Sequence, residues 1–312
     1  MTATTPVRAE VRVDPVLAES AVWGVLSSGS SADGEARARH DRRCAHAYRI
    51  ADAAERDAAF AAIARSEFAE LGLADPLLEA LDERPPLAER TRLLLVGQAR
   101  ASHDEGVTCE PGGAHLGVRL EPRRFVDRAG LLGWARHALG HAEDTLDPAF
   151  GFVPGWDGDG GGAQVRTAAQ ARLHRLWDVS VDGRLAAVGR AGPRSSARHR
   201  QRLAADLPGA SPAVVDAAFA RLWDGPRPDF PTLMAWAARP ATLATGLEGR
   251  EAALPRPDRC PLCRFPSDDV VVPDPAIAER VIAEYPDWRP EHGLCGRCGD
   301  RYRFAGRLGA GG

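Results

Sequence analysis

Cys260-Pro261-Leu262-Cys263 and Cys295-Gly296-Arg297-Cys298 are two CxxC pairs separated by 31 residues. A CxxC turn presents two thiolates to one ion, and two such turns complete a tetrahedral four-cysteine site. Because the binding energy of such an ion is also folding energy, the motif fixes the local fold of a segment too small for a large core. The spacing predicts a zinc-ribbon module over residues 258–304, with a structural zinc at Cys260, Cys263, Cys295 and Cys298. Between the pairs, Val270-Val271-Val272 reads as a strand and Pro275 to Tyr285 as a helix, enough for a ribbon or treble-clef-like insert. Redox dithiols and an iron–sulfur cluster are the competing uses. No strand-to-helix redox setting accompanies either pair, and the glycine after Cys298 suits a zinc knuckle turn.

A second metal motif lies mid-chain, in Arg136-His137-Ala138-Leu139-Gly140-His141-Ala142-Glu143-Asp144. Histidines four apart on a helix stand on one face, so their ring nitrogens can converge on one ion. Apolar periodicity predicts a helix from about Arg128 to Glu143, stopped by Asp147-Pro148 and Gly151. Leu116 to Leu120 alternates as a strand just upstream. Two histidines do not fix a metal, and a third protein ligand is needed. Downstream, Arg172 to Gly183 reads as a helix with Gly183 at its C-cap and with Asp178 and Asp182 four apart. Either aspartate is a candidate third ligand, and Asp144, on the histidine face of its own helix, competes with them.

Residues of about 90 to 185 resemble a small zincin-type metallopeptidase domain, the class whose metal helix carries HExxH. The resemblance implies an α+β fold, a small sheet packed on helices carrying HxxxH and DxxxD. It also implies zinc or another divalent metal at the His/Asp site, and hydrolysis of a peptide or related amide. In that family the residue after the first histidine is the glutamate that takes the proton from the attacking water. Here that position is Ala138, and a methyl group cannot move a proton. The chain is therefore expected to be a metallopeptidase-like metal-binding protein, inactive or crippled as written. A non-catalytic zincin-like scaffold, recognising a protein or nucleic-acid partner through cleft and ribbon, is the alternative. SprT-like proteins, which join an HExxH domain to a zinc ribbon and act on DNA-bound proteins, offer a version of it.

Charge argues against nucleic acid. The chain has a net charge of -3, and residues 258–312 carry 8 arginines against 9 acids, too acidic for a ribbon that grips phosphate. A protein or peptide is the expected substrate or partner. No apolar run approaches a membrane span, and no basic segment followed by an apolar core opens the chain. Cys44 and Cys109, outside the CxxC pairs, are expected as free thiols, and this usage fits a reducing cytoplasm. No Cys–His set is assignable, because Cys44 and His46 are two apart on a helix and cannot face each other.

The expected organisation is a flexible segment over 1–42, a zincin-like domain over 43–250, the ribbon, and a flexible tail over 305–312. Leu93 to Val96 reads as a buried strand, 102–115 as a loop, and helices are expected near 195–206, 212–223 and 231–238. Arg198 to Arg202 reads as a solvated basic face, and the glycine-rich run 156–162 lacks the acid a calcium loop needs at its twelfth position.

Overall fold

The computed structural model of the protein describes residues 8–28, 33–155, 163–207, 209–244, 259–265, 267 and 270–308. The chain divides into two compact units, one of residues 1–150 with 188–193, the other of residues 151–187 with 194–312. The boundary near residue 150 falls inside the span 43–250 expected as one domain.

The first unit runs β1 (Glu10–Val13), α1 (Pro15–Ser27), α2 (Asp33–Ala47), α3 (Ala53–Glu70), α4 (Asp75–Asp82), α5 (Pro85–Ala88), β2 (Leu93–Gln98), β3 (Gly106–Cys109), β4 (His115–Leu120) and α6 (Arg128–Leu146). The sheet order is β1-β2-β4-β3, with β1, β2 and β4 parallel and β3 antiparallel on the edge. Alternation sends Leu94, Val96, Leu116, Val118 and Leu120 into the core, where they meet Leu17, Ala21, Val22, Phe68, Leu81, Leu131 and Leu139 of the helices. On the other sheet face Leu95 is exposed.

Residues 1–42 are not a flexible lead-in where they are described. Glu10–Val13 pairs with Leu93–Val96, and α1 buries Leu17, Ala18, Ala21 and Val22. Asp14 starts α1 by accepting from the amides of Val16 and Leu17, with Pro15 set in the first turn, where its missing N–H costs nothing. Gly29 to Ser31 fall outside the described residues. Nor is 102–115 a plain loop. Its middle is β3, which covers the edge of β4, so the strand before α6 is internal and the free edge belongs to β3. Glu105, at the start of β3, holds this edge through bidentate bonds to Arg124, the closest 2.6 Å. Burial alone would raise the Glu105 carboxyl, but the Arg124 guanidinium and the Glu121 amide outweigh it and hold it low.

The second unit contains α7 (Ala163–Ala187), α8 (Ser196–Asp206), α9 (Pro212–Trp223), α10 (Phe230–Ala238), α11 (Ala241–Ala244), α12 (Pro275–Glu284) and α13 (Gly296–Leu308). Ser195, Ser211, Asp229 and Asp274 each cap the helix that follows, which is why α8, α9, α10 and α12 begin within a residue or two of where the sequence places them. Gly183 is not a C-cap. It lies inside α7, where a Cβ would stand 2.3 Å from the carbonyl oxygen of Trp223. The glycine lets α7 and the end of α9 meet backbone to backbone. The run 156–162 lies outside the described residues, as do 309–312, while the tail expected from 305 begins as the last turn of α13. Among the described residues no helix is long and apolar enough to cross a membrane.

Candidate metal centres

The four cysteines converge. Their Sγ atoms all lie within 4.8 Å of one another, with Cys260 to Cys298 and Cys263 to Cys295 both at 3.8 Å. Zinc–sulfur bonds of 2.3 Å at tetrahedral angles put sulfurs about 3.8 Å apart, so the cage has the size of a zinc site. It is far too open for a disulfide, whose sulfurs are about 2.0 Å apart. The donor set therefore fits a soft divalent ion.

Local backbone explains the convergence. In the first knuckle the Cys260 amide donates to the Phe265 carbonyl at 2.9 Å and the Arg264 amide to the Cys260 carbonyl at 2.8 Å, with Arg264 at φ 56 closing the turn. In the second, Cys295 directly precedes α13 and Cys298 sits in its first turn. The Cys295 amide also donates to Cys260 Sγ at 3.4 Å. Burial would raise the Cys260 thiol, but the amides of Cys263, Cys295 and Leu262 outweigh it and bring it to about 7. Burial, reinforced by the neighbouring thiols Cys263 and Cys295, pushes Cys298 far up. Four sulfurs this close cannot all ionise without a cation among them.

Around the cage, Val270, Ile277, Val281, Trp288, Leu294 and Tyr302 form a separate small core. The Trp288 indole donates to the Gly293 carbonyl at 3.1 Å, and the Tyr302 hydroxyl donates to Glu284 at 2.6 Å, tying α13 to α12. The expected helix is present as α12, whereas the expected strand is not. Val271 forms an isolated bridge with Leu294, and of the three valines only Val270 is buried. The described residues of the module form a knuckle, an isolated bridge, a helix and a second pair of cysteines at a helix start.

The second group is built on α6. Asp127 caps the helix through the Gly130 amide at 2.9 Å. Arg136 bonds Glu83 at 2.6 Å, and Arg84 donates to the Arg136 carbonyl at 2.7 Å and to Glu143, which pins α6 beside the α4–α5 corner. On this fixed helix His137 is buried and His141 half-buried, with their Nε2 atoms 3.2 Å apart and their rings edge to face. Two imidazole nitrogens each about 2.0–2.1 Å from a tetrahedral zinc stand about 3.3 Å apart, so the pair matches two ligands of one ion. Asp178, the expected third ligand, belongs to α7 in the second unit.

Asp182, buried in α7, bonds His199 Nε2 at 2.6 Å, and that histidine is itself 2% exposed. Arg198 to Arg202 is thus not wholly a solvated face, because its histidine points inward to α7. Asp178 also receives Arg194 at 3.0 Å. Asp144 is fully buried within α6. His174 is exposed. Ala138 is 7% exposed and belongs to the core of the first unit, so the position after the first histidine faces packed side chains rather than an open cleft.

The chain matches no family model, no curated protein and no solved structure.

Proposed function

We propose that this is a zinc-binding protein with a structural four-cysteine centre and a second divalent-metal centre built on His137 and His141. Its plan is metallopeptidase-like, with the general base missing at Ala138. The observation that carries this reading is spacing, 3.8 Å between paired sulfurs and 3.2 Å between imidazole nitrogens, each the edge of a zinc tetrahedron. A divalent ion held by the histidines would supply Lewis acidity toward an amide carbonyl. What the chain's own residues do is narrower. His137 and His141 offer their Nε2 lone pairs from a helix that Arg84 and Arg136 immobilise. In the resembling family the base follows the first histidine, and here that position is Ala138. Its methyl group can neither give nor accept a proton, and Glu143 is held by Arg84. Loss of a general base lowers such a reaction by about 10²–10⁴-fold.

A non-catalytic scaffold that binds a protein or peptide is the second reading, and the burial of Ala138 favours it. Ala138→Glu separates the two. The substitution places a carboxylate among packed side chains and should lower stability by about 3 kcal/mol, read from urea unfolding. If the chain is a hydrolase lacking only its base, the zinc-loaded variant cleaves casein in a chelator-sensitive way while the unaltered protein does not. A folded, fully metal-loaded variant that cleaves nothing would remove the hydrolase reading and leave the scaffold.

A further inference from the structure

Away from both metal groups, α2 and α3 bring a thiol, an imidazole and a carboxylate into line. Cys44 and His40 are four apart on α2, so they share a helical face, and Cys44 Sγ lies 3.5 Å from His40 Nε2. The other ring nitrogen, His40 Nδ1, lies 2.5 Å from Glu67 Oε2 of α3. Glu67 is 3% exposed, and Arg43 donates to its second oxygen at 3.3 Å while also pairing with Glu70. A carboxylate so fixed accepts from Nδ1–H and thereby leaves the Nε2 lone pair facing the thiol. Nucleophile, base and orienting acid thus stand in the relation that activates a weak nucleophile.

Burial pushes the Cys44 thiol above its usual range, and the carboxylates Glu67, Asp41 and Glu19 add to it. Arg43 is the cation packed against Glu67 on the same side. The resting group is therefore a neutral thiol, and a thiolate forms only as a proton moves to His40. Cys44 is half-buried rather than sealed in the core, which leaves it open to a small reagent.

We propose that Cys44 is a nucleophilic thiol, with His40 as its base and Glu67 as the residue that positions the base, and that it is modified by low-molecular-weight disulfides. In the step, Sγ attacks one sulfur of the disulfide and the S–S bond breaks. The Cys44 proton passes to His40 Nε2 and then to the departing thiolate. The products are a mixed disulfide on Cys44 and one free small thiol, with no other oxidant needed.

The test uses the full-length, zinc-loaded protein and an aromatic disulfide reagent, with labelling at each cysteine followed by peptide mass spectrometry. Cys109 is the internal control, since it too is half-buried with a thiol raised by burial. Cys44 should react at least ten-fold faster than Cys109 at neutral pH. His40→Gln should slow Cys44 by about 10²-fold while leaving Cys109 unchanged. The variant's rate should then climb about ten-fold per pH unit, following the thiolate alone, where the unaltered protein shows a shallower dependence. Glu67→Gln should slow Cys44 less than His40→Gln does. Equal rates at Cys44 and Cys109 in the unaltered protein would overturn the proposal without any variant, and so would a folded His40→Gln protein with an unchanged rate and pH profile.

Discussion

Chelation should unfold residues 259–308 while leaving the sheet of the first unit intact. The module's core of valine, isoleucine, tryptophan, leucine and tyrosine is small; it also contains Cys260, Cys295 and Cys298, and all four thiols lie within 4.8 Å of one another. Without a cation those sulfurs lose their reason to sit together. Structural zinc in modules of this size contributes on the order of 10–16 kcal/mol of apparent binding energy, more than the whole stability of many domains. Limited proteolysis with and without a strong chelator reads the effect directly. The expected result is rapid cleavage between 259 and 308 only after metal removal, together with loss of the protected Trp288 indole resonance. Cys260→Ser should reproduce the chelated pattern in untreated protein. Protection of this segment that persists after complete metal removal would contradict it.

His199→Ala should be the most destabilising single change in the second unit outside the cysteines, by about 3–5 kcal/mol. The imidazole and Asp182 bond at 2.6 Å with both side chains essentially without solvent, so truncation takes a partner from a carboxylate that water cannot reach. The pair joins α7 to α8 at the level where Trp223 of α9 also meets the histidine ring, at 5.7 Å between centroids. Urea unfolding with far-ultraviolet circular dichroism measures it. A loss under 1 kcal/mol would mean that the pair is incidental to α7 packing.

Elements whose cause is local are legible in the sequence. The helices α8, α9, α10 and α12 each carry a serine or aspartate cap, and β2 and β4 show their buried faces by alternation. The CxxC pairs and the HxxxH spacing likewise fix their own geometry within a few residues. What is not legible depends on partners far away in the chain. Glu10–Val13 is too short to read as a strand until Leu93–Val96 lies beside it. Gly183 looks like a helix end but serves the approach of Trp223, forty residues on. Asp182 has ligand spacing, yet its partner is a histidine inside a run that looks solvated. The Cys44–His40 contact obeys the same four-residue rule as His137 and His141, so that signal is present in the sequence, whereas its third member Glu67 comes from the next helix.

The proposed function requires two metal ions at separate groups of ligands. Native mass spectrometry of protein loaded with zinc and then freed of excess metal counts them. The account predicts two zinc ions per chain in the unaltered protein, one in Cys260→Ser and one in His141→Ala, with the ion lost from a different group in each. Two ions that persist in His141→Ala, or a single ion in the unaltered protein that only Cys260→Ser removes, would contradict it.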